Sequence, residues 1–483
     1  MQNPCPTLAR VFRRLWHSPT FTTWVNQAVQ ALRLLAVTPL LLVSFETTEI
    51  AAWYLFGSLT FFGSLVSGRV GLTFTRMIAF AMGGATDLSA IKGKVERRPD
   101  VDPNWPLIER AYATTGTLNA CLTLGIIALA LLMGWYGLEN LLANYENAGT
   151  VWAAFGVMIF SQSAVFFFQR YPIALKGMNY VALTNRWNAI FSLLSVVAGV
   201  ATLQAGGGIL ALTCVMQGVI LLNILRNRFL LRFVEGGRFK SFRTFKLDRQ
   251  MVGWALEPAW KGFFVTLANS GTIQVAAVLC ARFLSVAEAA SLLLTLRLLT
   301  SFKSVSDAPF FSHMPRIARL FGEGNTELLG QIVPRKLFLC QVMFGGFVFG
   351  LVLLGAPALE FIGSNASLTA APITALLGLG LLLTNFIRIC LVVSASGNHI
   401  VCVQREIWAF LITAVLLYLL LPIMGLQGVL IGLFLPTIVI LNLVPARIAA
   451  NKLGVPFSRL LILTALIPAT LTIIAYILAA SMA

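Results

Sequence analysis

Eight lysine and arginine residues lie inside long apolar segments of this sequence, where a charged side chain is costly. These residues are Arg33, Arg69, Arg76, Arg170, Lys261, Arg297, Lys303 and Arg388. Each would cost about 2.5–3.5 kcal/mol at the centre of a helix that faces lipid, so we expect them to face a polar cavity or partner groups. Guanidinium groups bind phosphate and carboxylate groups through two parallel hydrogen bonds. The chemistry that these cations predict is therefore the binding of an anion.

Polar residues recur at helical spacing around four of the arginines. Positions i, i+4 and i+7 share one face of a helix, and three apolar segments carry such a polar face. The three sets are Asn26, Gln30 and Arg33; Arg69, Thr73 and Arg76; and Arg297, Ser301 and Ser304. Acidic partners are scarce, because we find only Glu257 and Asp307 in or near the apolar segments. We predict that these faces line one central cavity. Its eight predicted site residues, which would bind an anionic substrate, are Arg33, Arg69, Arg76, Arg297, Lys261, Arg388, Gln30 and Asn26.

Several of these cations also have a structural explanation, which the sequence leaves open. Cations toward the cytoplasmic ends of their segments could extend to lipid phosphates; they are Arg76, Arg170 and Lys303. Two pairs at i, i+4 spacing could form structural ion pairs: Glu257 with Lys261, and Lys303 with Asp307. Arg388 fits a binding role and a structural role equally well.

The elements that position these residues follow from the composition. The 483 residues are 58% hydrophobic and 11% charged, with a formal net charge of +17 and a mean hydropathy of +0.85. Soluble domains carry about 25% charged residues, so a soluble enzyme or a nucleic-acid-binding module is excluded. A membrane helix needs about 20 apolar residues. We therefore predict an all-α polytopic membrane protein, in which the excess positive charge lies in loops and cavities.

Hydropathy and helix-breaking residues predict about thirteen membrane spans. They are 22–44, 51–82, 110–133, 150–172, 187–204, 209–225, 254–280, 288–308, 336–355, 371–394, 407–423, 427–445 and 459–480. Lysine and arginine concentrate in every second connection. This bias places the N-terminus in the cytoplasm and, with thirteen spans, the C-terminus outside.

The longest basic connection, residues 226–249, follows the sixth span and divides the chain into two six-helix lobes. The predicted domains are an N-lobe over 1–240, a C-lobe over 241–450 and an extra C-terminal helix over 451–483. A shift of 220 residues superposes two glycines of each half: Gly177 on Gly397, and Gly208 on Gly428. Both halves would begin in the cytoplasm, which predicts a parallel repeat, an arrangement common in transporters.

Signals of enzymatic chemistry are weak throughout the sequence. The seven cysteines form no C-x-x-C pair, and the three histidines stand alone, so we expect neither a metal site nor a cofactor. No G-x-x-x-x-G-K-[ST] sequence is present, which excludes ATP hydrolysis through that motif on this chain. The outer connections are short and hold no group suited to catalysis. We therefore expect a transporter rather than an enzyme.

The second span carries a family resemblance. Segments 61–65 (FFGSL), 70–76 (VGLTFTR) and 79–85 (AFAMGGA), with the turn 176–179 (KGMN), resemble polysaccharide flippases. These are the O-antigen-type exporters of lipid-linked oligosaccharides in the multidrug/oligosaccharidyl-lipid/polysaccharide superfamily. Many members carry an aspartate two residues before the glycine that matches Gly71. This chain has Arg69 there, which argues against ion coupling at that position.

The resemblance implies two lobes that rock around a cationic cavity. It implies a polyprenyl-diphosphate-linked oligosaccharide as substrate, moved from the cytoplasmic to the outer leaflet of the inner membrane. Cations on the first, second and eighth helices of the family would match Arg33, Arg69, Arg76 and Arg297. The expected partners are membrane lipids and a polysaccharide polymerase or ligase, without nucleic acid, and the expected state is a monomer.

Three alternatives remain open at this point. One is a multidrug or cation antiporter of the same superfamily, which would need a buried carboxylate such as Glu257. Another is a flippase of peptidoglycan precursors. The third is a membrane-embedded glycosyltransferase, polymerase or ligase. The glycan and the source of energy, whether protons, sodium or membrane potential, cannot be deduced from the residues.

Overall fold

A computed structural model describes residues 19–84, 102–243, 245–311, 313–314, 317, 320, 325–394 and 402–482. Within these ranges the regular structure is helical, and no strand occurs. The first half contains α1 Pro19–Ser44, α2 Thr47–Met82, α3 Trp105–Leu141, α4 Ala148–Phe167, α5 Arg170–Gly177, α6 Val181–Gln204 and α7 Ile209–Phe233. The second half contains α8 Arg249–Thr266, α9 Thr272–Phe283, α10 Val286–Ser306, α11 Ala308–Phe311, α12 Thr326–Phe361, α13 Ala371–Ser394, α14 Val403–Met424, α15 Leu426–Leu441, α16 Val444–Leu453, α17 Phe457–Leu461 and α18 Ile467–Met482.

The predicted all-α polytopic membrane fold is confirmed. Among the described residues, eight helical stretches are long and apolar enough to cross a membrane, or nine when the bent pair α15–α16 counts as one span. Helices also cover the predicted spans 22–44 and 51–82, and α10 covers residues 288–306 of the predicted span 288–308. In α10, Arg297, Lys303 and several hydroxyl residues lower the hydropathy, so this helix does not look like a span by composition alone. The number thirteen stays a prediction.

The chain divides into two compact units. Unit 1 holds the described residues of Met1–Ser44, Leu59–Leu132 and Asn147–Phe263, and unit 2 those of Phe45–Ser58, Met133–Glu146 and Phe264–Ala483. The predicted lobes 1–240 and 241–450 and the extra helix 451–483 stay a prediction.

The core of unit 1 brings α2 and α5 into close contact. Phe74, Met77 and Ile78 are fully buried there with Ala174. A Cβ atom on Gly177 would lie 2.7 Å from the Cβ of Ile78, which is too short for a real contact. Glycine is therefore required where α5 ends against α2, and this approach fixes the helix that carries Arg76.

An ion pair fastens the start of α8 to α3 in unit 1. Arg110 Nε donates to Asp248 Oδ2 at 3.0 Å, and Asp248 Oδ1 accepts from the backbone N–H groups of Gln250 and Met251. Burial opposes ionisation, but the hydrogen bond from Arg110, the backbone donors and the Arg110 charge outweigh it. They hold the pKa of Asp248 below its usual value. Asp248 thus caps α8 and ties it to α3.

We expect Asp248→Asn to lower the apparent melting temperature at pH 7 by roughly 1–3 °C, since the cap remains but the charge is lost. Because the folded pKa lies below the unfolded one, the stabilisation is complete above about pH 4 and is lost as the pH falls through the folded pKa. Thermal unfolding in detergent from pH 7 to pH 3 measures the difference. Asp102→Asn, at an exposed aspartate, is the control. A difference between the variant and the wild type that does not shrink as the pH falls below 4 would contradict the charge argument.

Unit 2 is organised around α13. Sixteen of its 24 residues are buried, among them Thr384, Asn385 and Phe386. A Cβ on Gly380 would lie 2.3 Å from the Phe434 ring, so α15 packs directly against the α13 backbone. A helix that is buried on most sides can carry polar side chains only where neighbouring helices satisfy them. This is the setting of Arg388.

Candidate functional site

The structure describes the side chains of three of the eight predicted site residues: Arg76, Arg297 and Arg388. The other five lie on α1, α2 and α8, with side chains outside the described residues. They are Asn26, Gln30, Arg33, Arg69 and Lys261. Arg76 belongs to unit 1, and Arg297 and Arg388 belong to unit 2. The single cavity that all eight would share stays a prediction.

Arg297 is an exposed cation near the middle of α10, next to the buried stretch 289–296 of that helix. α10 has 21 residues, and Leu296 and Leu299 beside Arg297 are at most 3% exposed. The hydroxyl of Ser301, on the predicted polar face, donates to the Arg297 carbonyl oxygen at 2.8 Å. No carboxylate of the described residues forms an ion pair with Arg297. Its guanidinium group is therefore available to an external anion.

Arg76 on α2 is likewise an exposed arginine among buried apolar residues. Its side chain is exposed, whereas Phe74, Met77 and Ile78 around it are fully buried. The neighbouring Thr75 hydroxyl donates to the Gly71 carbonyl oxygen at 2.8 Å, within the helix itself. In the part of the chain that is described, no carboxylate pairs with it. Exposure fits both predicted roles, contact with lipid phosphate and contact with substrate.

Arg388 belongs to a compact group of opposite charges. Asp307 accepts from Lys303 Nζ at 3.2 Å and from Asn385 Nδ2 at 2.8 Å. The carboxylates of Glu406 and Asp307 interact electrostatically with the Arg388 guanidinium. We call Lys303, Asp307, Asn385, Arg388 and Glu406 the charge network. The two cations and two carboxylates of the network balance in formal charge within unit 2, and both carboxylates attract Arg388.

Glu406 is the member of this network that sequence reasoning missed. The predicted span 407–423 begins one residue after Glu406, which places Glu406 in the preceding connection. In the structure α14 begins at Val403, and Glu406 is only 1% exposed. An acidic residue in the first turn before a long apolar run is a helix N-terminus signal, and it would have placed Glu406 inside the helix.

Arg170 does not extend to the lipid phosphates, so that interpretation is wrong. The residue is 4% exposed. Its guanidinium carbon lies 4.9–5.9 Å from the centres of four aromatic rings. The rings are those of Tyr112, Phe167, Tyr171 and Phe245. Cation–π contacts of this kind stabilise a desolvated guanidinium group, and here they join α3, α4, α5 and the connection before α8.

The described residues contain no group of three histidine, cysteine, aspartate or glutamate side chains that could hold a metal ion. Among the predicted site residues whose side chains are described, Arg76 and Arg297 are exposed, and Arg388 belongs to the charge network. Arginines without carboxylate partners bind anions rather than cations.

Comparison with known protein families finds no match, and comparison with curated proteins finds none either. Solved structures, in contrast, match over nearly the whole chain. An inward-facing multidrug resistance MATE family transporter of the MOP superfamily is 14% identical, with a TM-score of 0.62, 90% of this chain covered and 95% of that chain. The chain has the fold of the MOP-superfamily transporters.

Two further structures share this MOP fold. The lipid II flippase MurJ, in an inward closed conformation, is 13% identical with a TM-score of 0.56, over 96% of this chain and 98% of that chain. A MOP superfamily transporter from Pyrococcus furiosus is 15% identical with a TM-score of 0.50, over 91% and 98%. That protein is described as having a binding pocket of reverse polarity that suggests a different function. These neighbours are transporters and flippases rather than enzymes.

Proposed function

We propose that this chain is a flippase that moves a polyprenyl-diphosphate-linked oligosaccharide from the cytoplasmic to the outer leaflet of the inner membrane. The observation that carries the proposal is Arg297, an exposed arginine in the middle of α10, between the buried Leu296 and Leu299 and with no carboxylate partner among the described residues. Such a residue facing lipid would be costly. A substrate diphosphate offers it two acceptor oxygens in the geometry that a guanidinium group prefers.

The MOP fold supports an alternating-access cycle for this substrate. In an inward-open state Arg76 and Lys261 attract the anionic headgroup. Arg297, with Arg33 and Arg69, holds the diphosphate while the lipid tail stays in the bilayer. An inside-negative potential favours outward movement of each net negative charge by about 2.3 kcal/mol per 100 mV. Removal of the product by a polymerase or ligase would draw the reaction further outward.

A multidrug antiporter is the second candidate, and one observation favours it. Such a transporter needs a buried carboxylate that exchanges protons or sodium against its substrate. The described residues of unit 2 contain two, Asp307 and Glu406. Asp307 forms an ion pair with Lys303, however, and the charge of Glu406 attracts Arg388. Carboxylates beside such cations have less affinity for another cation. A cationic drug would also be repelled by the exposed Arg297. These charges favour the flippase.

Transport in proteoliposomes tests the proposal. Three labelled substrates are compared: a polyprenyl-diphosphate oligosaccharide, a peptidoglycan-precursor lipid and a cationic dye. We expect the lipid-linked oligosaccharide to be translocated and the dye to be excluded. Translocation of the peptidoglycan precursor alone would mean that the substrate is still a lipid diphosphate but carries a different glycan from the one we propose. Dye movement driven by an ion gradient, with both lipids untouched, would overturn the proposal in favour of the antiporter.

A further inference from the structure

A strongly basic surface surrounds the end of α7 and the connection to α8 in unit 1. It carries seven exposed cations, Arg228, Arg232, Arg238, Lys240, Arg243, Lys246 and Arg249. We call these residues the basic surface. They are separated by at most six positions along the chain, so their positive potentials add where they project together.

The acidic residues beside this surface are engaged elsewhere. Glu235 accepts a hydrogen bond from the Tyr180 hydroxyl at 2.9 Å, and Asp248 accepts from Arg110 at 3.0 Å. Glu109 accepts from the backbone N–H of Arg243 at 3.0 Å, not from its guanidinium group. None of the basic surface's seven side chains forms an ion pair within the described part of the chain. The positive charge is therefore left for an external partner.

Large apolar side chains are exposed between these cations. Phe229, Phe233, Phe245 and Leu247 are 49–65% exposed. The rings of Phe229 and Phe233 lie 4.9 Å apart, and Lys240 Nζ lies 5.6 Å from the Phe233 ring centre. Exposed aromatics alternating with lysine and arginine are typical of a surface at the boundary between headgroups and acyl chains. A soluble acidic partner would leave the aromatic rings unexplained.

The backbone that carries these side chains is held in one shape. Glu235, Gly236 and Gly237 have φ values of 49°, 64° and 79°, which turn the chain sharply after α7. Phe239 is then 6% exposed, packed 5.5 Å from the ring of Tyr112. Arg238 stacks over Trp105 at 4.5 Å. The buried Phe239 thus holds the cations around it in fixed positions. Cations that served only to orient the chain in the membrane would not need fixed positions.

We propose that the basic surface binds the headgroups of anionic phospholipids in the cytoplasmic leaflet, with Phe229 and Phe233 inserted beside them. Clusters of four to eight cations next to a membrane helix attract anionic lipid over zwitterionic lipid. The basic surface includes neither Arg76 nor Arg297, the cations that we propose bind the substrate. It persists whichever substrate the protein transports.

The test uses the full-length protein in nanodiscs of phosphatidylcholine with one fifth phosphatidylglycerol. Spin-labelled phosphatidylglycerol and phosphatidylcholine report which lipid the protein selects. The variant changes three cations of the basic surface: Arg232→Gln, Lys240→Gln and Lys246→Gln. The matched control removes three exposed cations of unit 2: Arg335→Gln, Arg405→Gln and Arg459→Gln.

We expect the wild type to select phosphatidylglycerol several-fold over phosphatidylcholine, the basic-surface variant to lose at least half of that selectivity, and the control to keep it. Rising salt should weaken the wild-type selectivity, because headgroup charges are screened. The salt series uses the wild type, so its result does not depend on whether a variant folds. Equal selectivity in the variant and the wild type, equal losses in variant and control, or salt-independent selectivity would each overturn the proposal.

Discussion

Arg297→Ala should reduce translocation of the diphosphate-linked lipid by at least about tenfold while leaving the fold intact. A hydrogen bond to a charged group contributes about 1.5–3 kcal/mol, and 1.4 kcal/mol corresponds to a factor of ten. Because Arg297 is exposed and has no carboxylate partner among the described residues, its removal leaves no buried charge behind. The expected loss is therefore one of transport and not of stability. Initial rates in proteoliposomes, normalised to inserted protein, measure it.

Two further variants separate charge from geometry at this position. Arg297→Lys keeps the positive charge but loses the planar pair of donors, so we expect an intermediate rate if the guanidinium group binds a diphosphate. Arg335→Ala removes an exposed arginine of α12 outside the predicted cavity and should transport like the wild type. Unchanged transport in Arg297→Ala would remove the residue from the site. Equal losses in Arg297→Ala and Arg335→Ala would mean that the rate follows overall charge.

The helical class and most span positions could be predicted because each depends on local sequence. The predicted span 371–394 coincides with α13, and hydropathy alone places it. The pairing of Lys303 with Asp307 likewise follows from i, i+4 spacing, and the structure contains it at 3.2 Å. The position of a span follows from a run of apolar side chains, and an i, i+4 pair follows from the helical period of 3.6 residues. Neither requires a tertiary contact.

The side chains that distant helices bring to Asp307, Arg388 and Arg170 could not be predicted from the sequence. Asn385 reaches Asp307 across 78 positions of chain, and Glu406 approaches Arg388 from a third helix. Nothing local to Arg388 indicates these carboxylates, which is why its two roles were left open. Arg170 shows the same limit, since its cage includes Tyr112 and Phe245 from distant segments. Sequence reasoning identified the cations, but whether each is neutralised depends on helices brought together only by folding.

Glu406→Leu should destabilise unit 2 by about 1–3 kcal/mol, because it removes a buried carboxylate whose charge attracts the Arg388 guanidinium group. Glu406 is 1% exposed, and its loss leaves the Arg388 charge balanced only through Asp307, which Lys303 also uses. Thermal unfolding in detergent, followed by tryptophan fluorescence, measures the effect. Glu360→Leu at an exposed glutamate of α12 is the matched control, for which we expect a change within about 0.5 kcal/mol.

The double variant Arg388→Met with Glu406→Leu should recover most of this stability, because replacing both charges by apolar groups leaves neither unpaired. A double variant as unstable as Glu406→Leu would show that the two side chains are not coupled. Transport by the recovered protein then decides the role of Arg388. If the residue only holds α13 against α14, transport returns with stability. If Arg388 also binds the anionic substrate, the protein refolds but transports slowly, and Arg388 joins Arg297 in the site.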